Sequence, residues 1–243
     1  MSVLGDAMSG GGPSTKMQEF DPYFEKRRVH LDNLEAQLKG LLKALEGLIK
    51  ERKDMGGAAF EFGESIEALA AAHSQSALAH NLTVLAGIQK KINDLNLKQA
   101  KHDINYLAAT AEDYVRIIGS IRIAFASRAK YHRIWQLAEG NLQKKNDTLE
   151  KLRSASRTRS DKIAAMGTEI EEATKQVEST KRDFEEVSNR LRMELDRFDR
   201  EKISAFAASL RGFLRSILET QKEVVALWQS YFEEAQSVES ARE

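Results

Sequence analysis

Residues 104–125 read INYLAATAEDYVRIIGSIRIAF. The segment contains no proline and a single glycine, and it predicts one continuous helix. Large apolar side chains recur on nearly every side of that helix, at Ile104, Tyr106, Leu107, Val115, Ile117, Ile118, Ile121, Ile123 and Phe125. A helix that is apolar all round is buried on all sides. We therefore expect this segment to lie at the centre of a thick helical bundle.

The rest of the chain predicts an all-α protein of three long antiparallel helices that form an elongated coiled-coil bundle. Of its 243 residues only Pro13 and Pro22 are proline. Sheet-based folds need turn residues about every 8–12 positions, and the sequence lacks them. The expected organisation is a linker over 1–19, one domain over 20–237 with helices at about 22–73, 77–152 and 160–236, and a tail over 238–243.

The expected register follows from the two short connections, since short connections make consecutive helices antiparallel neighbours. Folding at residue 75 places Phe24 beside Phe125, and folding near residue 156 places Phe125 opposite Val187. The first helix then covers only part of the second. Residues 126–186 are therefore expected to form a two-helix arm, about 40 Å long at 1.5 Å per residue.

The apolar surface around residues 104–125 exceeds what three helices can bury, and exposed patches of that size mark interfaces. We therefore predict a dimer with a six-helix centre. Gly56 and Gly57 are expected to allow helices to approach closely at that centre. The side chains expected in the dimer interface are Phe60, Phe62, Ile117, Ile121, Phe206, Phe213 and Trp228.

Charge is segregated, although 37 basic and 37 acidic residues give the chain a net charge of zero. Residues 114–162 carry 12 basic and 4 acidic side chains, a net charge of +8. Five of the basic residues fall within a helical arc of about 80°, away from the apolar stripe. We expect a membrane-binding surface that comprises Arg122, Arg128, Lys130, Arg133, Lys144, Lys145, Lys151, Arg153, Arg157 and Arg159.

A basic face on a projecting arm indicates a polyanionic partner. Aromatic residues for base stacking are few and the isoelectric point is about 7.0, so an anionic phospholipid membrane is favoured and nucleic acid is not expected. Two alternatives stay open. One is a cytosolic coiled-coil scaffold that binds partner proteins without lipid contact, and the other is a helical clamp on nucleic acid.

No motif of an enzyme or of a metal site is present. The chain has no cysteine, no Glu-x-x-His pair on its helices and no glycine-rich phosphate loop. We expect no catalytic residue, no metal, no cofactor and no small-molecule substrate. Residues 1–15 lack the features of a signal peptide, and no segment is apolar enough to cross a bilayer, so a cytoplasmic protein is predicted.

Four segments resemble the sorting nexins that join a phosphoinositide-binding PX domain to a BAR domain. They are DPYFE at 21–25, DYVRIIGSIRIAFASR at 113–128, RIWQ at 133–136 and LQKK at 142–145. The similarity covers residues 20–236, is greatest to the fungal retromer members of the family, and includes no PX domain. It implies a crescent-shaped BAR dimer, formed with a second copy or with another sorting nexin. It further implies peripheral binding to endosomal membranes, curvature sensing or shaping, tubule formation and cargo retrieval with the retromer complex.

Overall fold

A computed structural model describes residues 21–72, 77–154 and 160–240. Every described segment is helical apart from Asp21, which precedes the first helix. The elements are α1 (Pro22–Ala72), α2 (Ala77–Asp103), a π-helical turn (Ile104–Ala108), α3 (Ala109–Ser154) and α4 (Ser160–Ser240). The predicted all-α class with three long helices is confirmed, the second predicted helix being α2, the π-turn and α3 together. The π-turn itself was not predicted.

The start of α1 follows from the dipeptide Asp21-Pro22. The backbone N–H of Tyr23 donates to Asp21 Oδ1 at 2.9 Å, and the N–H of Glu25 donates to the Asp21 carbonyl at 3.1 Å. Asp21 is therefore the N-cap. Proline fits the first helical position because the N–H that it lacks has no partner inside the helix.

Contacts divide the chain into two compact units. The first unit comprises the chain up to Asn33 together with Ile123–Arg190, and the second comprises Leu34–Arg122 together with Leu191–Glu243. The single-domain boundary of 20–237 stays a prediction.

The first unit is organised around Phe24 and Arg128, both of which are fully buried. The Phe24 and Phe125 rings meet edge to face with centroids 5.9 Å apart, so the register predicted for α1 against α3 is correct. The Arg128 guanidinium lies 3.9 Å from the Phe24 ring centroid and 5.0 Å from that of Phe184. Its Nε donates to Ser188 Oγ at 3.0 Å, which ties α3 to α4.

The assignment of Arg128 to the membrane-binding surface is wrong, since only 2% of this residue is exposed. Its position in the sequence explains the error. Arg128 occupies the heptad line that also carries Ile121, Trp135 and Leu142, and that line faces the interior of the bundle. Flanking aromatic rings and a buried hydroxyl stabilise its charge there.

The second unit contains a close contact between α1 and α2. A Cβ added to Gly63 would lie 3.0 Å from the Ala86 carbonyl oxygen, and one added to Gly56 would lie 2.9 Å from Asn93 Oδ1. A Cβ added to Gly57 would have no such neighbouring heavy atom within 4 Å. Gly56 therefore brings α1 close to α2 within one chain, and the placement of Gly56 and Gly57 at a dimer centre stays a prediction.

A buried polar network joins α1, α2 and α4 in the second unit. The Asp103 carboxylate is fully buried and accepts hydrogen bonds from Arg52 Nε at 2.9 Å and Gln99 Nε2 at 2.7 Å. Gln99 Oε1 accepts from Thr220 Oγ1 at 2.8 Å, and Gln99 Nε2 also donates to Ser216 Oγ at 3.1 Å. Arg52, which interrupts the apolar pattern of α1, therefore serves to neutralise Asp103.

The π-turn follows directly after Asp103 and is stabilised by hydroxyl groups. A π-turn widens the helix and disturbs the regular hydrogen-bond ladder. The Tyr106 carbonyl accepts from Ser209 Oγ and from Thr110 Oγ1, each at 2.8 Å. A Cβ on Gly212 would lie 2.7 Å from the Tyr106 ring, so a larger residue at this position of α4 would displace that ring.

The first prediction concerns Arg128. Arg128→Ala should lower the free energy of unfolding by about 2–4 kcal/mol, because it leaves a cavity between two aromatic rings and removes the partner of a buried hydroxyl. Lys130→Ala, two residues along on an exposed position, should change it by less than about 0.5 kcal/mol. Urea denaturation of both variants at one protein concentration measures the difference. Equal midpoints would contradict the structural role of Arg128.

Candidate dimer face and basic face

An uncovered line of apolar side chains runs along α1 in the second unit. Every seventh residue from 41 to 69 is a large hydrophobe, and each is between 38% and 58% exposed. The line consists of Leu41, Leu48, Met55, Phe62 and Leu69. A heptad line of this kind is the seam along which helices pair.

The exposed apolar surface of α4 is larger than that of α1. Between residues 203 and 232 seven large apolar side chains are 39–69% exposed, and at 100° per residue they fall within an arc of about 80°. They are Ile203, Leu210, Leu214, Leu218, Val225, Trp228 and Phe232. We call this set the α4 stripe.

The inward side of α4 carries polar residues instead. Ser209, Ser216 and Thr220 are buried there. A helix on the surface of a monomeric protein normally buries its leucines and exposes its hydroxyl groups. Here the buried hydroxyls bond the π-turn and the Gln99 network, and the leucines face outward. The α4 stripe is therefore a candidate interface, since exposed apolar patches of this size mark interfaces.

The residues predicted for the dimer interface divide into two groups. Phe60, Phe62, Ile117 and Trp228 are exposed as expected. Ile121, Phe206 and Phe213 are half-buried within their own unit. Phe206 lies 5.2 Å from the Tyr114 ring, and burial raises the pKa of the Tyr114 hydroxyl. Of the seven residues of the α4 stripe, sequence reasoning selected only Trp228 for the dimer interface.

The second prediction tests the α4 stripe. The wild-type protein should have twice the 27.3 kDa chain mass. Leu214→Glu should reduce the mass to that of one chain, or raise at least tenfold the protein concentration at which half of the chains are dimeric. A charge in a closed apolar interface has no partner and cannot stay hydrated. Arg215→Glu on the adjacent exposed position is the matched control and should leave the mass unchanged. Size-exclusion chromatography with light scattering measures both. A wild-type mass of 27.3 kDa at micromolar concentration would contradict the assignment.

Four basic side chains on α3 form the second candidate site, which we call the basic face. Lys130, Arg133, Lys144 and Lys151 are all exposed and fall within an arc of about 60° in the first unit. None of the four forms an ion pair with any other residue that the structure describes. Unpaired cations on one side of a helix concentrate positive potential there.

The other predicted basic residues differ in their surroundings. Arg122 belongs to the second unit and pairs with Glu35. Hydrogen bonds from Lys39 and Arg122 lower the pKa of the Glu35 carboxyl. In the first unit Lys145 is half-buried, and its Nζ donates to Glu169 Oε2 at 2.9 Å. Much of the charge of Lys145 and of Arg122 is therefore neutralised within the chain.

The end of the predicted basic surface is only partly described. Arg153 is exposed in the last turn of α3, on the side opposite to the basic face. Arg157 and Arg159 lie outside the described residues. Where the structure describes the chain, no group of three or more His, Asp or Glu side chains is arranged to hold a metal ion. None of the described helices combines the length and apolarity that crossing a bilayer requires.

Comparison with known proteins decides the family. Residues 1–234 match the family described as Vps5 C terminal like. The chain belongs to this family. It is 31% identical over 223 residues to sorting nexin-1 of Homo sapiens and 30% identical over 223 residues to sorting nexin-2 of Bos taurus. These alignments cover 92% of the chain but only 42% and 43% of the two relatives, so the chain spans less than half the length of either.

Solved structures support the fold that the family match implies. The F-BAR domain of Hof1p aligns with a TM-score of 0.56 at 14% identity, covering 91% of this chain and 90% of that one. The N-terminal I-BAR domain of IBARa from D. discoideum aligns with a TM-score of 0.52 at 16% identity, covering 93% of each chain. At these identities the likeness concerns the fold alone, which is that of a BAR domain. The expected resemblance to sorting nexins is confirmed at the level of the family, and this BAR-type family is structural rather than enzymatic.

Proposed function

We propose that the chain is a dimeric module that binds anionic phospholipid membranes through the basic face of each protomer. The observation that carries this proposal is the set of four exposed basic side chains on one side of α3, none of which forms an ion pair with another described residue. Each basic side chain near an anionic leaflet contributes about 1 kcal/mol. A dimer presents eight of them, so membrane binding depends on their number rather than on any single contact.

The dimer is the part of the proposal that the α4 stripe and the apolar line on α1 support. Both lie in the second unit, whereas the basic face lies in the first. The residues proposed for association and those proposed for lipid binding are therefore different. A second protomer of another sorting nexin with a similar stripe would serve as well as an identical copy, so homodimer and heterodimer both agree with these surfaces.

The cellular role is proposed from the family together with the surfaces. The relatives are named sorting nexins, and the solved neighbours are BAR-type domains. We infer a crescent-shaped dimer that senses or shapes curvature, is peripheral on the cytoplasmic side of endosomal membranes, and supports tubule formation and cargo retrieval with retromer. Membership of the fungal retromer branch is also a proposal, supported by the Vps5 C-terminal-like match.

The third prediction tests the basic face. Lys144→Glu combined with Lys151→Glu should weaken binding to vesicles of phosphatidylserine and phosphatidylcholine at least tenfold at low salt, because four cations per dimer are removed and four anions are added. Added salt should reduce the difference in vesicle affinity between this variant and wild type, since ions screen surface charges. Vesicle co-sedimentation measures the bound fraction. Helicity and dimer mass should match wild type, because both side chains are exposed.

The matched control is Arg211→Glu combined with Arg215→Glu. These two arginines are exposed on α4 in the second unit, and their reversal changes the net charge by the same amount. This variant should bind vesicles within about threefold of wild type. If both double variants bind as wild type does at low salt, the basic face is only a solvated surface. The protein would then be better explained as a scaffold that binds proteins without lipid contact.

A further inference from the structure

The basic face carries a large apolar side chain at its centre. Leu137 is 68% exposed, the highest exposure of any leucine that the structure describes. At 100° per residue it lies between Lys130 and Lys144 on the helix surface, about 20° from each. Arg133 precedes it by one turn, and Ile134, which is 39% exposed, lies beside it.

The first unit gives Leu137 no covering neighbour among the described residues. On the opposite side of α3, Trp135 stacks on Phe184 of α4 with ring centroids 5.6 Å apart. Leu137 points about 160° away from Trp135, and therefore away from α4. A single exposed leucine is ordinary on a protein surface. What distinguishes Leu137 is its position between Lys130 and Lys144, neither of which forms an ion pair with a described residue. This makes the patch complementary to a surface that is anionic outside and apolar beneath.

We propose that Leu137, with Ile134 beside it, inserts into the boundary between headgroups and acyl chains of an anionic bilayer while Lys130, Arg133 and Lys144 bind the headgroups. This inference rests on the proposed membrane function and adds a second, apolar component to it. Charged side chains attract the bilayer from a distance and are screened by salt. An inserted leucine adds affinity that salt does not screen, and it binds better where curvature has loosened lipid packing.

The expected size of the effect follows from apolar burial. Removing one leucine side chain from water contributes on the order of a tenfold change in affinity. Leu137→Gln removes two leucines per dimer and should therefore weaken vesicle binding at least tenfold, with the larger loss on small, highly curved vesicles. Val29→Gln is the matched control, because Val29 is an exposed apolar residue of the same unit on α1. It should bind as wild type does.

A direct test uses the absence of cysteine from the chain, which makes any introduced cysteine unique. Leu137→Cys and Gln136→Cys are each labelled with a polarity-sensitive fluorophore and mixed with phosphatidylserine vesicles, with and without nitroxide-labelled acyl chains. The label at 137 should brighten and be quenched by the nitroxide. The label at the exposed neighbouring position 136, about 100° round the helix, should do neither.

The outcomes separate the two proposals. If unlabelled wild-type protein does not bind the vesicles, the membrane function fails and insertion fails with it. If the protein binds but the label at 137 neither brightens nor is quenched, or if Leu137→Gln binds as tightly as Val29→Gln, insertion is overturned and the electrostatic function stands. If the label at 137 brightens on dimerisation without vesicles, Leu137 is a contact between protomers and insertion is likewise overturned.

Discussion

The hydrogen bonds that α4 makes to the π-turn and to Gln99 determine how the second unit presents its surface. Ser209 bonds the Tyr106 carbonyl, while Ser216 and Thr220 bond the Gln99 side chain. Buried polar groups left without such partners cost about 1–3 kcal/mol each. To form these hydrogen bonds, the hydroxyl side of α4 faces inward. The α4 stripe, on the other side of the helix, therefore faces outward. An apolar stripe some 30 residues long is then left for a partner to cover.

The proposed dimerisation and the proposed membrane binding consequently involve different parts of the chain. In the first unit the aromatic cluster around Arg128 fixes which side of α3 is buried, and this leaves the basic face exposed. Each basic face makes only a few weak charge contacts with a membrane. A dimer holds two such faces together, so binding of one face raises the effective concentration of the other at the membrane and increases the overall affinity. The loss of the dimer would thus weaken membrane binding even where every basic residue is intact.

Much of the fold was predictable because it depends on periodicity and local chemistry. Asp21-Pro22 marks the start of α1, and folding at residue 75 predicts the contact of Phe24 with Phe125. Arg128 was assigned to the membrane-binding surface because of its charge, although its heptad position predicts a buried residue. The π-turn could not be predicted, since Ser209, which bonds the Tyr106 carbonyl, lies about a hundred residues away. For the same reason the buried hydroxyl side of α4 was missed, although the basic face and part of the dimer face were selected.

The distance between the two α4 stripes of the assembled protein tests the proposed dimer most directly. The chain has no cysteine, so Arg211→Cys at the edge of the α4 stripe accepts a single spin label per protomer. Double electron–electron resonance at micromolar concentration should give a clear dipolar modulation with one dominant distance, and Leu214→Glu in the same background should abolish it. An unmodulated signal from the labelled protein, with its helicity unchanged, would contradict the claim that the α4 stripe is covered by a second protomer.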